Sequence, residues 1–465
     1  MGVAVSSWRL ARAVSRLGHL GVVSGTALDV VLVRRLQMGD PGGHLRRALA
    51  AFPIPEMADR ILDRYFVEGG KAPEARFRTK PMFDVEIPRP VEELTVVANF
   101  AEVWLAKEGH DGVVGTNLLT KVQIPTLPSL FGAMLAGVDY VLMGAGIPKA
   151  IPGIMDRLAA GLPTELPLDV KGTERGEVVA TRFDPSRYLE AGAPLPTRGR
   201  FLAIIASHVL ATMLARKTEP PVDGFVVEGP TAGGHNAPPR GKLVLDERGQ
   251  PVYGERDVVD LDVMNELGLP YWLAGGYAEP HKVAEALAAG AAGVQIGTAF
   301  AYCEESGFSD EIKRRVIEMS RRGEAEAFTD PVASPTGFPF KVVPIPGTMS
   351  EPEVYAARTR VCDLGYLRTP YKKDDGSIGW RCPAEPVDHY LRKGGAIEDT
   401  IGRKCLCNAL LANIELGQVR RDGYREGPLV TSGDDVANVA RFLREGETTY
   451  TAADVVAYLM ADVLV

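Results

Sequence analysis

Three glycine-bearing segments hold the residue types best suited to chemistry. Glu228-Gly229-Pro230-Thr231-Ala232-Gly233-Gly234-His235 follows one apolar run, Ala274-Gly275-Gly276 follows a second, and Gly297-Thr298 closes a third. Glycine lets backbone N–H groups approach an anion closely, and the helices that follow add their positive ends. A single Gly-Gly pair reads as a tight turn; three in this order read as a phosphate site, for which flavin mononucleotide (FMN) is the economical ligand. His235 is the candidate catalytic base, because imidazole titrates near neutral pH. Its plainer role would be a hydrogen bond to a cofactor phosphate or a backbone carbonyl. Asn117 offers donor and acceptor edges that suit a flavin ring. Lys121 and Gln123 follow it and could face the ring edge that becomes negative on reduction. Ser207, His208 and Glu228 also stand at strand ends and rank below His235.

Cysteine supplies a second set. Cys362, Cys382, Cys405 and Cys407 lie in the C-terminal quarter, and Cys303 stands apart. Four thiols could hold zinc or an iron–sulfur cluster. Their spacing contains no C-x-x-C pair, so the favoured expectation is no metal and four buried thiols acting as small hydrophobes.

The elements that must position these residues alternate between strand and helix. Strands are predicted at Gly2–Ser6, Leu20–Ser24, Gly112–Asn117, Asp139–Met143, Phe201–Ala206, Gly224–Glu228, Leu269–Ala274 and Gly293–Gly297. Helical spacing occurs in Trp8–Leu17, in Val91–Lys107, and between most later strands. Leu45–Phe66 reads as helix interrupted at Pro53 and Pro55. Eight such strands close a (β/α)8 barrel, whose active site lies at the strand C-terminal ends. An open doubly wound sheet ranks second, because no glycine fingerprint follows the first strand. Residues 1–305 are thus expected to form the barrel and 306–465 a partly helical C-terminal lobe that covers the site. Pro163–Arg200 reads as an excursion whose Leu166–Lys171 and Glu177–Arg182 could pair as a hairpin. The tail from Asp435 to Val465 is helical in pattern.

Composition narrows the function classes. The chain has 465 residues, 46% hydrophobic and 24% charged, which is globular and rules against disorder. A net charge of −8 makes nucleic acid a poor partner. No run of 18 apolar residues suggests a membrane span. Arg9, Arg12 and Arg16 break what would be the apolar core of a signal peptide. Five cysteines without an export signal give a cytoplasmic expectation, with free thiols.

Several runs together resemble the nitronate monooxygenase (2-nitropropane dioxygenase-like) family. They are Val227-Glu228-Gly229 to Gly233-Gly234-His235, Leu273-Ala274-Gly275-Gly276, Gly293-Val294-Gln295-Ile296-Gly297-Thr298-Ala299-Phe300 and Gly115-Thr116-Asn117-Leu118. Gly2–Ser24 is similar to that family's first βαβ unit, which puts Gly2, Val3 and Ala4 at the cofactor. The resemblance covers roughly residues 1–300 and, more loosely, Lys404–Gln418. It implies an FMN-binding barrel that oxidises alkyl nitronates with O2 to a carbonyl compound and nitrite; a homodimer is a separate expectation that the resemblance does not carry. The chain departs from the pattern at its start, where family members carry several residues before the first strand, and in the loop Pro238–Arg256. The trans-acting enoyl-thioester reductases share the barrel and the Gly-Gly-His loop, so that activity is the alternative. A flavoprotein partner without turnover is a third reading.

Overall fold

The structure is a computed structural model that describes residues 2–189 and 195–463. Residues 190–194 of the excursion lie outside the described residues. In its first third, helix α1 (Trp8–Arg16) leads to strand β1 (Gly21–Ser24), then to α2 (Leu28–Gln37), α3 (His44–Ala50), α4 (Pro55–Tyr65) and α5 (Arg89–Lys107). The predicted interruption near Pro53 and Pro55 is the break between α3 and α4. Pro55 opens α4, where its missing N–H costs nothing.

Regular alternation follows: β2 (Val114–Leu119), α6 (Thr126–Leu135), β3 (Tyr140–Gly144) and α7 (Ile151–Ala159). An antiparallel hairpin, β4 (Thr164–Pro167) and β5 (Ala180–Phe183), intervenes, pairing Thr164 with Phe183 and Pro167 with Ala180. The expected excursion is therefore present, with its pairing nearer the base of the loop. Next come β6 (Arg200–Ile205), α8 (His208–Arg216), β7 (Gly224–Glu228), α9 (Leu261–Glu266), β8 (Tyr271–Ala274), α10 (Pro280–Ala288) and β9 (Gly293–Gln295).

Seven of these strands form one parallel sheet in the order β1-β2-β3-β6-β7-β8-β9. Val23, Val114, Val141, Phe201, Phe225 and Leu273 are buried in it. Parallel strands covered by helices need apolar residues on both faces, which explains their near-continuous Val, Ile, Leu and Phe content.

Eightfold closure is not seen among the described residues, because Gly2–Ser6 forms a turn and not a strand. Ala4 sits at φ 49°, a left-handed conformation that ends any extended run there. The segment is still pinned in place. Ser6 accepts from the Ser24 N–H at 2.8 Å, and Val5 accepts from the Gly307 N–H at 2.7 Å.

The C-terminal part continues through α11 (Thr298–Ala301) and α12 (Asp310–Arg321) to strands β10 (Phe328–Asp330) and β11 (Phe340–Val342). Helix α13 (Pro352–Ala356), the hairpin β12 (Thr369–Lys372) and β13 (Ile378–Arg381), α14 (Val387–Arg392), α15 (Leu406–Ala412) and α16 (Ala452–Leu459) complete it. The tail expected to be helical is a 3-10 turn at Asp434–Phe442 and then α16. One apolar cluster joins Val3, Val30 and Val31 to Val316, Leu411, Val430 and Val455, so the two halves share a core. No described helix is long and apolar enough to cross a membrane.

Candidate functional site

The C-terminal ends of β2, β3, β7, β8 and β9 open onto one cavity of about 520 Å³. That volume lies within the roughly 300–1,000 Å³ usual for small-molecule and cofactor sites. Its wall brings together Gly2, Val3, Asn117, Glu228, Gly233, Gly234, His235, Gly275, Gly276, Gly297 and Thr298. Residues 295 positions apart in sequence thus meet at one surface.

Three candidates are placed elsewhere. Ala4 is fully buried and does not line the cavity. Lys121 is exposed, with its ammonium 5.4 Å from the Phe338 ring centroid. Gln123 holds the excursion instead: its Oε1 accepts from the Asp169 N–H at 2.9 Å. In the turn after β2 it is Val122 that faces the cavity, which leaves its neighbours Lys121 and Gln123 away from it. Ser207 and His208 also miss the cavity. Ser207 caps α8 by accepting from the Leu210 N–H, and His208 Nδ1 accepts from the Asp260 N–H at 3.3 Å.

Close backbone approach explains the glycines. A Cβ on Gly233 would stand 2.6 Å from the Gly433 nitrogen. Gly275 has φ +92°, and a Cβ there would meet Thr231 Oγ1 at 2.9 Å. Both positions therefore demand glycine for steric reasons.

The C-terminal part completes this wall. The Lys341 N–H donates to Gly234 O at 2.9 Å, and the Asn236 N–H donates to Pro339 O at 3.0 Å. These bonds pair the Gly-Gly-His loop with β11. Gly433 N–H donates to Thr298 Oγ1 at 2.9 Å, and Asp434 N–H to Thr231 O at 3.0 Å. Lys341 Nζ then bonds Thr329 Oγ1 at 2.8 Å and Asp434 at 2.6 Å. Thr431 also lines the cavity, and its buried hydroxyl has no protein partner.

His235 Nε2 lies 2.7 Å from Ser334 Oγ, and its ring packs on Phe340 with centroids 4.8 Å apart. Burial pushes the imidazole down to about 3, so it is neutral near pH 7. Glu228, at the end of β7, moves the opposite way for the same reason: burial pushes its carboxyl up to about 7. Sequence reasoning ranked Glu228 low. Its place at a strand end was legible, but the depth of its surroundings was not. Ser334 was not singled out, because nothing local marks a serine 99 residues from His235 as its partner.

A model of the nitronate monooxygenase family matches residues 156–328. A "probable nitronate monooxygenase" of Bacillus subtilis is 34% identical over 131 residues, which is 28% of this chain and 35% of that protein. A (3aS,4S,5R,7aS)-5-hydroxy-7a-methyl-1-oxo-octahydro-1H-indene-4-carboxyl-CoA dehydrogenase of Mycobacterium tuberculosis is 31% identical over 122 residues, covering 26% of this chain and 31% of that protein. The matched stretch thus spans about a third of the length of these curated relatives. The structure is also similar to a nitroalkane oxidase from Streptomyces ansochromogenes, at 15% identity and TM-score 0.46, covering 100% of this chain and 94% of that one. The resemblance read from the glycine and histidine motifs is borne out.

Proposed function

We propose that this chain, related to the nitronate monooxygenase family over residues 156–328, is an FMN-dependent oxidoreductase acting on alkyl nitronates. The observation that carries this reading is the convergence of three glycine-ended strands, Asn117 and His235 on one 520 Å³ cavity. The residues fit the cofactor. Gly275, Gly276, Gly297 and Thr298 line the cavity and would offer backbone N–H groups to its phosphate, beside the glycine-only contact at Gly233. Thr431 adds an unpartnered hydroxyl at the wall. Asn117 would bond the polar edge of the ring. When bound, the flavin supplies the one-electron chemistry that couples nitronate to O2, giving a carbonyl compound and nitrite.

The side chains present account for binding and proton handling. Neutral His235, oriented by Ser334, can donate its ring N–H to a nitro oxygen. For a neutral nitroalkane it can also take the α-proton. The anion formed beside it offsets the cost that burial places on imidazolium. Glu228 is the second proton acceptor, poised near neutral pH by its surroundings. Apolar walls from Val3, Val5, Ile204 and Phe340 exclude water and accept an alkyl chain.

A second reading has one observation behind it: the M. tuberculosis relative is named for a CoA-thioester substrate. An FMN-dependent enoyl-thioester reductase would use the same cavity with a nicotinamide reductant. Aerobic assays with a nitronate, measuring nitrite, test the first reading. NADPH consumption with a crotonyl thioester tests the second. Turnover of the thioester without nitrite release from any nitronate would replace the first reading with the second.

A further inference from the structure

Three separate segments bring Cys362, Cys382, Cys405 and Cys407 together. Cys362 lies ahead of β12, Cys382 directly follows β13, and Cys405 and Cys407 flank Leu406 at the start of α15. All four thiols are free. They form a cluster whose remaining member is Ala384. Leu364, Leu367 and Leu406 flank the small cavity that the four cysteines share.

The sulfurs also have the surroundings of ligands. All four cysteines line one small cavity of about 10 Å³, with Asp363, Arg368 and Asn408 at its edge. Cys405 Sγ lies 3.9 Å from Val361 O. Asn408 Nδ2 donates to Cys405 Sγ at 3.6 Å, and its other contact is Asp363 Oδ1 at 2.8 Å. A neutral thiol packed as a hydrophobe is a poor acceptor. The N–H that Asn408 donates to Cys405 Sγ matches the outer hydrogen bonds that stabilise metal thiolates.

We propose that Cys362, Cys382, Cys405 and Cys407 form a structural site for one zinc ion, tying the β12–β13 hairpin to the start of α15. Among the described residues no three His, Cys, Asp or Glu side chains yet stand in ligating geometry. The site requires the four side chains to turn about their Cα–Cβ bonds toward the cavity they share. Binding is not a redox step: four S–H protons leave to solvent and four sulfur lone pairs fill the tetrahedral shell of Zn2+. The resulting centre carries two negative charges, and Arg368 at the cavity edge opposes them. A cavity of one-atom size favours a single ion over a multi-iron cluster. Leu367, Leu406 and Cys407 also line the central cavity, so zinc would brace the wall of the proposed active site. The zinc site stands whether or not the flavin reading does.

The test uses the full chain, expressed with zinc in the medium and purified anaerobically without chelator. Elemental analysis should find about one zinc per chain, and zinc-edge absorption should show four sulfurs at about 2.3 Å. Cys382→Ser and Cys405→Ser should each lower zinc content at least about fivefold, whereas Cys303→Ser, in a different cluster, should leave it unchanged. If the variants misfold, a mercurial titration of wild-type protein decides: zinc should leave in step with modification of four thiols. Wild-type protein with under about 0.1 zinc per chain and five reactive thiols would overturn the proposal. Zinc held by nitrogen or oxygen, or an iron–sulfur absorption spectrum, would overturn it equally.

Discussion

Ser334→Ala probes how the C-terminal part serves the site. Ser334 Oγ lies 2.7 Å from His235 Nε2 and 2.8 Å from Thr336 Oγ1, and it is fully buried. Removing the hydroxyl leaves a buried ring nitrogen without its partner, which costs about 1–3 kcal/mol. If the oriented imidazole acts in the transition state, that cost reaches the rate as roughly a 5- to 150-fold fall in kcat/KM on nitronate. Some loss would also come from the Thr336 contact, so the variant alone does not separate orientation from stability. A double-mutant cycle does. In a His235→Ala background, Ser334→Ala should have no further effect on kcat/KM, with activity expressed per bound flavin. Equal rate losses in both backgrounds would refute the claim that Ser334 acts through His235. An unchanged rate in the single variant would refute it as well.

Other perturbations have defined outcomes. His235→Ala should retain flavin, because in the proposed reading backbone amides and not the imidazole hold the phosphate. It should lose about 10²–10⁴-fold on neutral nitroalkanes and far less on pre-formed nitronate; equal losses would make His235 a binding residue. For Glu228, a folded-state value near 7 against about 4.3 unfolded means its protonated form stabilises the fold below pH 4, a contribution lost as pH rises through 7. Flavin-free Glu228→Gln should therefore gain about 2–3 kcal/mol of stability relative to wild type between pH 5 and pH 8 in urea unfolding; a difference independent of pH would contradict the shift. Arg358 donates to Glu426 at 2.6 and 2.8 Å with both side chains buried, so Arg358→Ala should cost about 3 kcal/mol in the same assay. A cost below about 1 kcal/mol would mean that Arg420, the carboxylate's other partner, satisfies it alone.

Much of the barrel side was legible because its signals are local. Apolar runs bounded by glycine locate β2, β3, β6, β7, β8 and β9, and Pro55 separates α3 from α4. The strand-end rule then points to His235 and the paired glycines. Gly2–Ser6 misled, since five apolar or small residues look alike in a strand and in a turn until Ala4 adopts its left-handed φ. Lys121 and Gln123 misled because adjacency to Asn117 says nothing of which way the following turn carries them. The bonds that close the site were illegible: Ser334 to His235, Lys341 to Asp434 and Gly433 to Thr298 each span more than ninety residues. The cysteine cluster was hidden likewise, for its spacing matches no local pair and only the β12–β13 hairpin brings Cys362 to Cys382.

The central claim is that the cavity holds FMN and passes electrons from nitronate to it. Anaerobic mixing of the flavin-loaded protein with a pre-formed alkyl nitronate, followed at the flavin absorption band near ~450 nm, tests it directly. The account predicts bleaching by nitronate alone, with no bleaching by NADPH, and release of FMN rather than FAD on heating. Bleaching by NADPH and indifference to nitronate would contradict it, as would recovery of FAD.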